Sequence, residues 1–116
     1  MKELSLPHLS PLRFAQNIFS LDDTKARVYL NFQQLPSLGM MIESSAQASA
    51  AFSDENAKGG FLVSLKNVKL LSKAKSMSLE VSLTKEADFG SMSSFFFVVY
   101  EGTKELVNGS FVIAKS

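Results

Sequence analysis

The chain has 116 residues, 46% of them hydrophobic and 20% charged, with a formal net charge of +1. That length suits one packed domain and is too short for two of ordinary size, so residues 1–116 are expected to form a single unit. The balanced charge argues against nucleic acid as a partner, and the absence of cysteine beside a single histidine argues against disulfides, thiolate chemistry and a metal site.

Residues 1–9 contain Pro7 and His8 but no continuous apolar stretch of the kind a secretory signal needs, so a cytoplasmic location is expected. Residues 13–19 are apolar enough for a first strand, and Asp22 and Asp23 supply turn chemistry after it. Over residues 24–32, Ala26, Val28, Leu30 and Phe32 alternate with Lys25, Arg27, Tyr29 and Asn31, the pattern of a half-buried strand. Pro36 opens a different pattern. Residues 38–52 hold no proline and one β-branched side chain, Ile42, which predicts a helix. Ser44, Ser45, Ala46, Ala48, Ser49, Ala50 and Ala51 are all small, so the helix is suited to lying close under a sheet. A connection follows over residues 53–60.

Strands are then predicted over residues 61–71, 76–85, 91–101 and 105–115, the last two joined as a hairpin through Gly102, Thr103 and Lys104. The apolar run 95–100 is far too short to cross a bilayer, which takes about 20 residues. Being apolar on both faces, it reads as a central strand, covered by the helix on one side and open to a second subunit on the other. Gly109 is expected to mark a bulge. Two strands, one long helix and four more strands make an α+β domain with one helix packed on a meandering antiparallel sheet.

In this order the residues resemble the 3-hydroxyacyl-[acyl carrier protein] dehydratases of the hotdog superfamily. Three segments carry the likeness: Leu6-Pro7-His8 followed by Pro11-Leu12; residues 36–48 with Ile42-Glu43 and Ala46-Gln47-Ala48; and Asp88-Phe89-Gly90-Ser91 with Gly109 in the last strand. The resemblance implies a hotdog fold, an antiparallel sheet wrapped around one central helix. Typical members carry a catalytic histidine in a Gly-His-Phe-Pro segment before the helix, where this chain has Gln33-Gln34-Leu35-Pro36. The shorter loop is more similar to the dehydratase-like proteins of aryl-polyene and polyketide-type pathways.

Removing water from a 3-hydroxyacyl thioester needs a base, an acid and hydrogen-bond donors to the thioester carbonyl. The resemblance gives Glu43 the carboxyl role; the spacing of Gly39, Glu43 and Gln47 reads equally as a polar stripe facing solvent. Gln47, one turn on, either holds the Glu43 carboxyl or is a structural glutamine. Gly39 either offers helix-end amides to a thioester oxygen or serves close packing. Pro36 and Gly90 join Gly39 and Gln47 as expected substrate contacts through the resemblance. His8, the one imidazole, is either a turn residue or, across a subunit boundary, a partner for Glu43.

Lys66, Lys69, Lys73 and Lys75 read as a docking patch for an acidic carrier protein or coenzyme A, or as a charged edge kept against aggregation. The expected partners are therefore an acyl carrier protein or coenzyme A thioester and a second hotdog subunit, in a homodimer or a heterodimer. No cofactor, nucleic acid or membrane is expected. A thioesterase using Glu43, and a non-catalytic acyl-binding subunit paired with an active dehydratase, are the alternatives to dehydration.

Overall fold

The computed structural model describes residues 2–3, 15–52 and 60–115. Among the described residues, seven strands and one α-helix follow in chain order: β1 (Lys2–Glu3), β2 (Ala15–Leu21), β3 (Lys25–Asn31), α1 (Leu38–Ala48), then β4 (Gly60–Leu70), β5 (Ser78–Asp88), β6 (Met92–Glu101) and β7 (Lys104–Lys115). The strands form one sheet in the order β1-β2-β3-β5-β6-β7-β4, antiparallel throughout. The expected α+β hotdog arrangement, one helix against a wrapped antiparallel sheet, is present, and the expected central strand is β6, between β5 and β7.

Alternation places the core. Ala26, Val28 and Leu30 of β3, Leu79, Val81 and Leu83 of β5, and Phe95, Phe97 and Val99 of β6 are buried under the helix, with Val107, Phe111 and Ile113 of β7. Register aligns them into rungs, with Val28, Val81, Val99 and Val107 side by side across four strands. The rings of Phe95 and Phe111, and of Phe97 and Phe111, lie 5.5 Å apart, and Phe52 extends this stack at 5.4 Å from Phe95. On the opposite face of β6, Val98 is buried while Phe96 is exposed.

The helix begins where Ser37 caps it: its Oγ accepts from the Met40 N–H (3.2 Å) and its carbonyl from the Met41 N–H (3.0 Å). Met41, Ser44, Ser45 and Ala48 form the buried face. The two buried hydroxyls are satisfied within the helix, since both donate to the Met41 carbonyl at 2.8 Å. Small side chains at these positions let the helix lie close to the aromatic rungs. The predicted helix 38–52 ends differently from expectation: α-helix stops at Ala48, and Ser49–Phe52 form a 3₁₀ turn. There the Ser49 hydroxyl donates back to the Ala46 carbonyl (2.6 Å), a side-chain bond that competes with the helical ladder.

The bulge expected at Gly109 is on the facing strand. Gly109 pairs regularly with Phe97, while in β4 the register jumps between Lys66 and Lys69, so Asn67 and Val68 together oppose Gly109. Asn67 takes the left-handed conformation (φ 54°) that such a bulge requires, which asparagine tolerates. The glycine is what admits the extra residue. The connection 71–77 then returns to β5, held by Leu71 and Ser72 N–H bonds to the Leu106 carbonyl.

Candidate functional site

An apolar cavity of about 310 Å³ opens where the start of α1 meets the end of β4. Two connections build it. Leu35, Pro36, Ser37 and Leu38 come from the passage out of β3 into the helix, and Leu70, Lys73 and Ala74 from the passage between β4 and β5. Met41, one turn into the helix, completes the lining. Lys73 is the only ionisable side chain among these residues.

Of the expected site residues, this cavity gathers Pro36 and Lys73. Glu43 is half-buried and lies about 140–200° around the helix from Leu38 and Met41, at 100° per residue, so it is on the opposite flank. Gln47 shares that flank and is buried. Its Oε1 accepts the buried Ala15 N–H at 3.2 Å, fastening the start of β2 to the helix. That bond makes Gln47 a structural tie between two elements. The Gly39, Glu43 and Gln47 stripe therefore does not face solvent along its whole length.

Gly39 is exposed in the first helical turn, where an added Cβ would meet nothing closer than the Ser37 Oγ at 3.9 Å. Close packing is not what a glycine serves at this position. The N–H groups of Leu38 and Gly39 precede Met41, the first donor to the helical ladder, so no carbonyl of the helix accepts from them. Gly90 is in the exposed turn between β5 and β6, with φ +81° and its N–H on Asp88 Oδ1 (3.2 Å). The 11 residues of β5 separate this turn from the cavity end of the sheet by about 33 Å. Its geometry is that of a turn glycine. His8 lies outside the described residues.

The four lysines divide between two faces. Lys66 and Lys69 sit opposite Ser110 and Asn108, whose side chains share the sheet face away from the helix, because the Asn67–Val68 bulge restores the alternation between them. Lys73 is at the cavity mouth. Lys75 is exposed in the same connection, its backbone N–H donating to Glu101 Oε1 (2.7 Å). None of the four is ion-paired with a described residue; the described pairs are Arg27 with Glu80 and Lys85 with Asp88.

Leu35, Leu38, Met41, Leu70 and Ala74 carry no pattern that marks them as a site in the sequence. A leucine before a proline and a lysine-flanked alanine are the only local signals, and the cavity arises from joining segments about 30 residues apart in the chain. Among the described residues no three metal-ligating side chains converge, and no helix is long and apolar enough to cross a membrane.

No protein-family model matches the chain, and no curated protein matches it by sequence. Solved structures do match in fold. The dehydratase heterocomplex ApeI:P from Xenorhabdus doucetiae superposes with a TM-score of 0.80 at 16% identity, over 96% of this chain and 88% of that one. The protein smu.793 from Streptococcus mutans UA159, bound to acetyl CoA, gives 0.68 at 14% identity, over 94% and 96%. A hypothetical thioesterase from Streptococcus pneumoniae TIGR4, with coenzyme A, gives 0.67 at 11% identity, over 86% and 84%. At these identities the likeness establishes the hotdog fold.

Proposed function

We propose that this chain is an acyl-thioester-binding hotdog subunit that acts on carrier-protein or coenzyme A thioesters as one half of a paired assembly. The observation that carries the reading is the apolar cavity at the start of α1, lined by two connections, with the Leu38 and Gly39 amides at the helix start and a lysine that has no ion-pair partner among the described residues. An acyl chain suits the apolar lining, and a thioester oxygen suits the amides of Leu38 and Gly39. Structural neighbours crystallised with acetyl CoA or coenzyme A, and one that is a dehydratase heterocomplex, support the ligand class and the pairing.

Pairing is further supported by β4. It ends the sheet, and Leu62, Leu65 and Leu70 are 36%, 45% and 46% exposed although they point to the helix side. A second hotdog subunit set against this edge would cover them and extend the wall of the cavity. Lys66, Lys69 and Lys75, which have no ion-pair partner among the described residues, suit an acidic carrier protein or the phosphates of coenzyme A.

The reaction proposed is removal of water from a 3-hydroxyacyl thioester to give a trans-2-enoyl thioester, with the Glu43 carboxyl moving the proton, in the manner of the short-loop dehydratase-like branch. One observation favours a second reading: Glu43 is on the flank of α1 away from the cavity of its own chain, which suits a non-catalytic acyl-binding subunit whose partner supplies the chemistry. The assay that separates them offers a 3-hydroxyacyl carrier protein and a plain acyl thioester, and follows enoyl product and free thiol independently. Enoyl product that falls by about 10²-fold or more in Glu43→Gln supports dehydration. Free thiol alone would indicate a thioesterase. Activity that survives Glu43→Gln unchanged removes Glu43 from the site, and no product with or without a dehydratase partner leaves acyl binding as the function.

A further inference from the structure

The cavity lining sorts by depth, and this sets what it admits. Leu35, Ser37, Leu70 and Lys73 are exposed while Pro36, Met41 and Ala74 are buried, and this contrast assigns the first group to the opening and the second to the inner end. Its volume of about 310 Å³ is roughly twice the 150 Å³ that encloses one benzene ring in an apolar cavity, which corresponds to about a dozen non-hydrogen atoms. A chain entering tail first would rest its end on Met41 and Ala74. Its thioester would then lie at the mouth, beside the only cation in the lining.

Resting on the acyl-thioester reading above, we infer that the cavity selects medium-chain acyl groups of about six to ten carbons, and that the Lys73 ammonium donates a hydrogen bond to the thioester carbonyl oxygen. No described carboxylate competes for the ammonium. The phosphate of a pantetheine arm lies many bonds beyond the sulfur, so a lysine that meets the acyl group at the mouth is placed for the carbonyl rather than for the phosphate. Ala74 is the specificity-determining position, because it is the small buried residue at the inner end and belongs to a connection outside the sheet.

Equilibrium binding of hexanoyl-, decanoyl- and hexadecanoyl-coenzyme A, and of the same acyl groups on a carrier protein, tests this directly. The wild-type chain is expected to bind hexadecanoyl about tenfold more weakly than decanoyl, since a longer chain resting on Met41 and Ala74 carries its thioester past the mouth and out of reach of the Lys73 ammonium. Ala74→Leu should shift the preference toward hexanoyl by about tenfold with a retained thermal transition. Leu35→Trp, at an exposed position that leaves folding intact, should weaken every chain length. Lys73→Met should weaken decanoyl-coenzyme A by about tenfold and leave its S-decyl thioether analogue, which lacks the carbonyl, within about twofold of wild type.

Hexadecanoyl binding as tight as decanoyl, or indifference to both Ala74→Leu and Leu35→Trp, would overturn the cavity assignment while leaving acyl-thioester binding in place. Equal loss on thioester and thioether would move Lys73 to the anionic arm and overturn its carbonyl role. If no thioester of any length binds, on coenzyme A or on a carrier, the functional reading itself fails with the inference.

Discussion

At position 109 a Cβ would stand 2.9 Å from both the Cα and the Cγ2 of Val68 and 3.2 Å from the Phe97 Cε1. Backbone on one side and a buried ring on the other leave nothing flexible to yield. Gly109→Ala is expected to cost about 2 kcal/mol as an overpacking change and to lower the thermal midpoint by about 8 °C, measurable by calorimetry. Asp22 offers a residue-scale test of electrostatics. The Thr24 N–H and then the Lys25 N–H, at 2.9 and 2.7 Å, hold its carboxyl below the ordinary range. A depressed folded-state value means the stabilisation is present above the unfolded-state pKa and is lost as pH falls through the folded one. The dependence therefore falls below about pH 4. An NMR titration of the Asp22 carboxyl should give a midpoint below that of an aspartate in an unstructured peptide, and an ordinary or raised midpoint would contradict the hydrogen-bond account.

Elements were legible in the sequence where one face met the core and the other met water. The alternation over β3, and again in the first half of β5, follows from a sheet buried on the helix side only. The helix was legible from composition, but its change to 3₁₀ geometry after Ala48 turns on the Ser49 hydroxyl choosing the Ala46 carbonyl, a choice that spacing does not reveal. Gly109 announced an irregularity without saying which strand carried it; the extra residue is in β4, where Asn67 gives no pattern of its own. Lys66 and Lys69, three apart, would point to opposite faces of a regular strand and share one only because of that bulge.

The candidate site was legible least. Glu43 and Gln47 are visible as a pair one turn apart, but which flank of α1 they occupy depends on how the helix lies against β2. The Gln47 tie to β2 carries its own prediction. Gln47→Leu removes the acceptor of a buried N–H and is expected to cost about 1–3 kcal/mol in urea unfolding, with faster hydrogen exchange at the Ala15 amide. Unchanged exchange at Ala15 would show that this bond does not hold β2 in place.

For the whole molecule, the uncovered side of β4 decides whether the domain acts alone. Leu65 is exposed on the helix side of this edge strand, so a charged residue there leaves the monomer core untouched while opposing burial against a second subunit. Sedimentation is expected to show a dimer for the wild-type chain, alone or with a second hotdog partner, and a monomer for Leu65→Lys with an unaltered thermal transition. A wild-type monomer that binds no hotdog partner would remove the paired assembly. The cavity lies at this same end of the sheet, so ligand and partner are expected to stabilise each other. The central claim, that the start of α1 holds an acyl thioester, is tested most directly by titrating decanoyl-coenzyme A into isotope-labelled protein and mapping the backbone shifts. The account predicts saturable shifts concentrated at Leu35, Leu38, Met41, Leu70 and Ala74; shifts confined to the outward face around Phe96 and Tyr100, or none at saturating ligand, would contradict it.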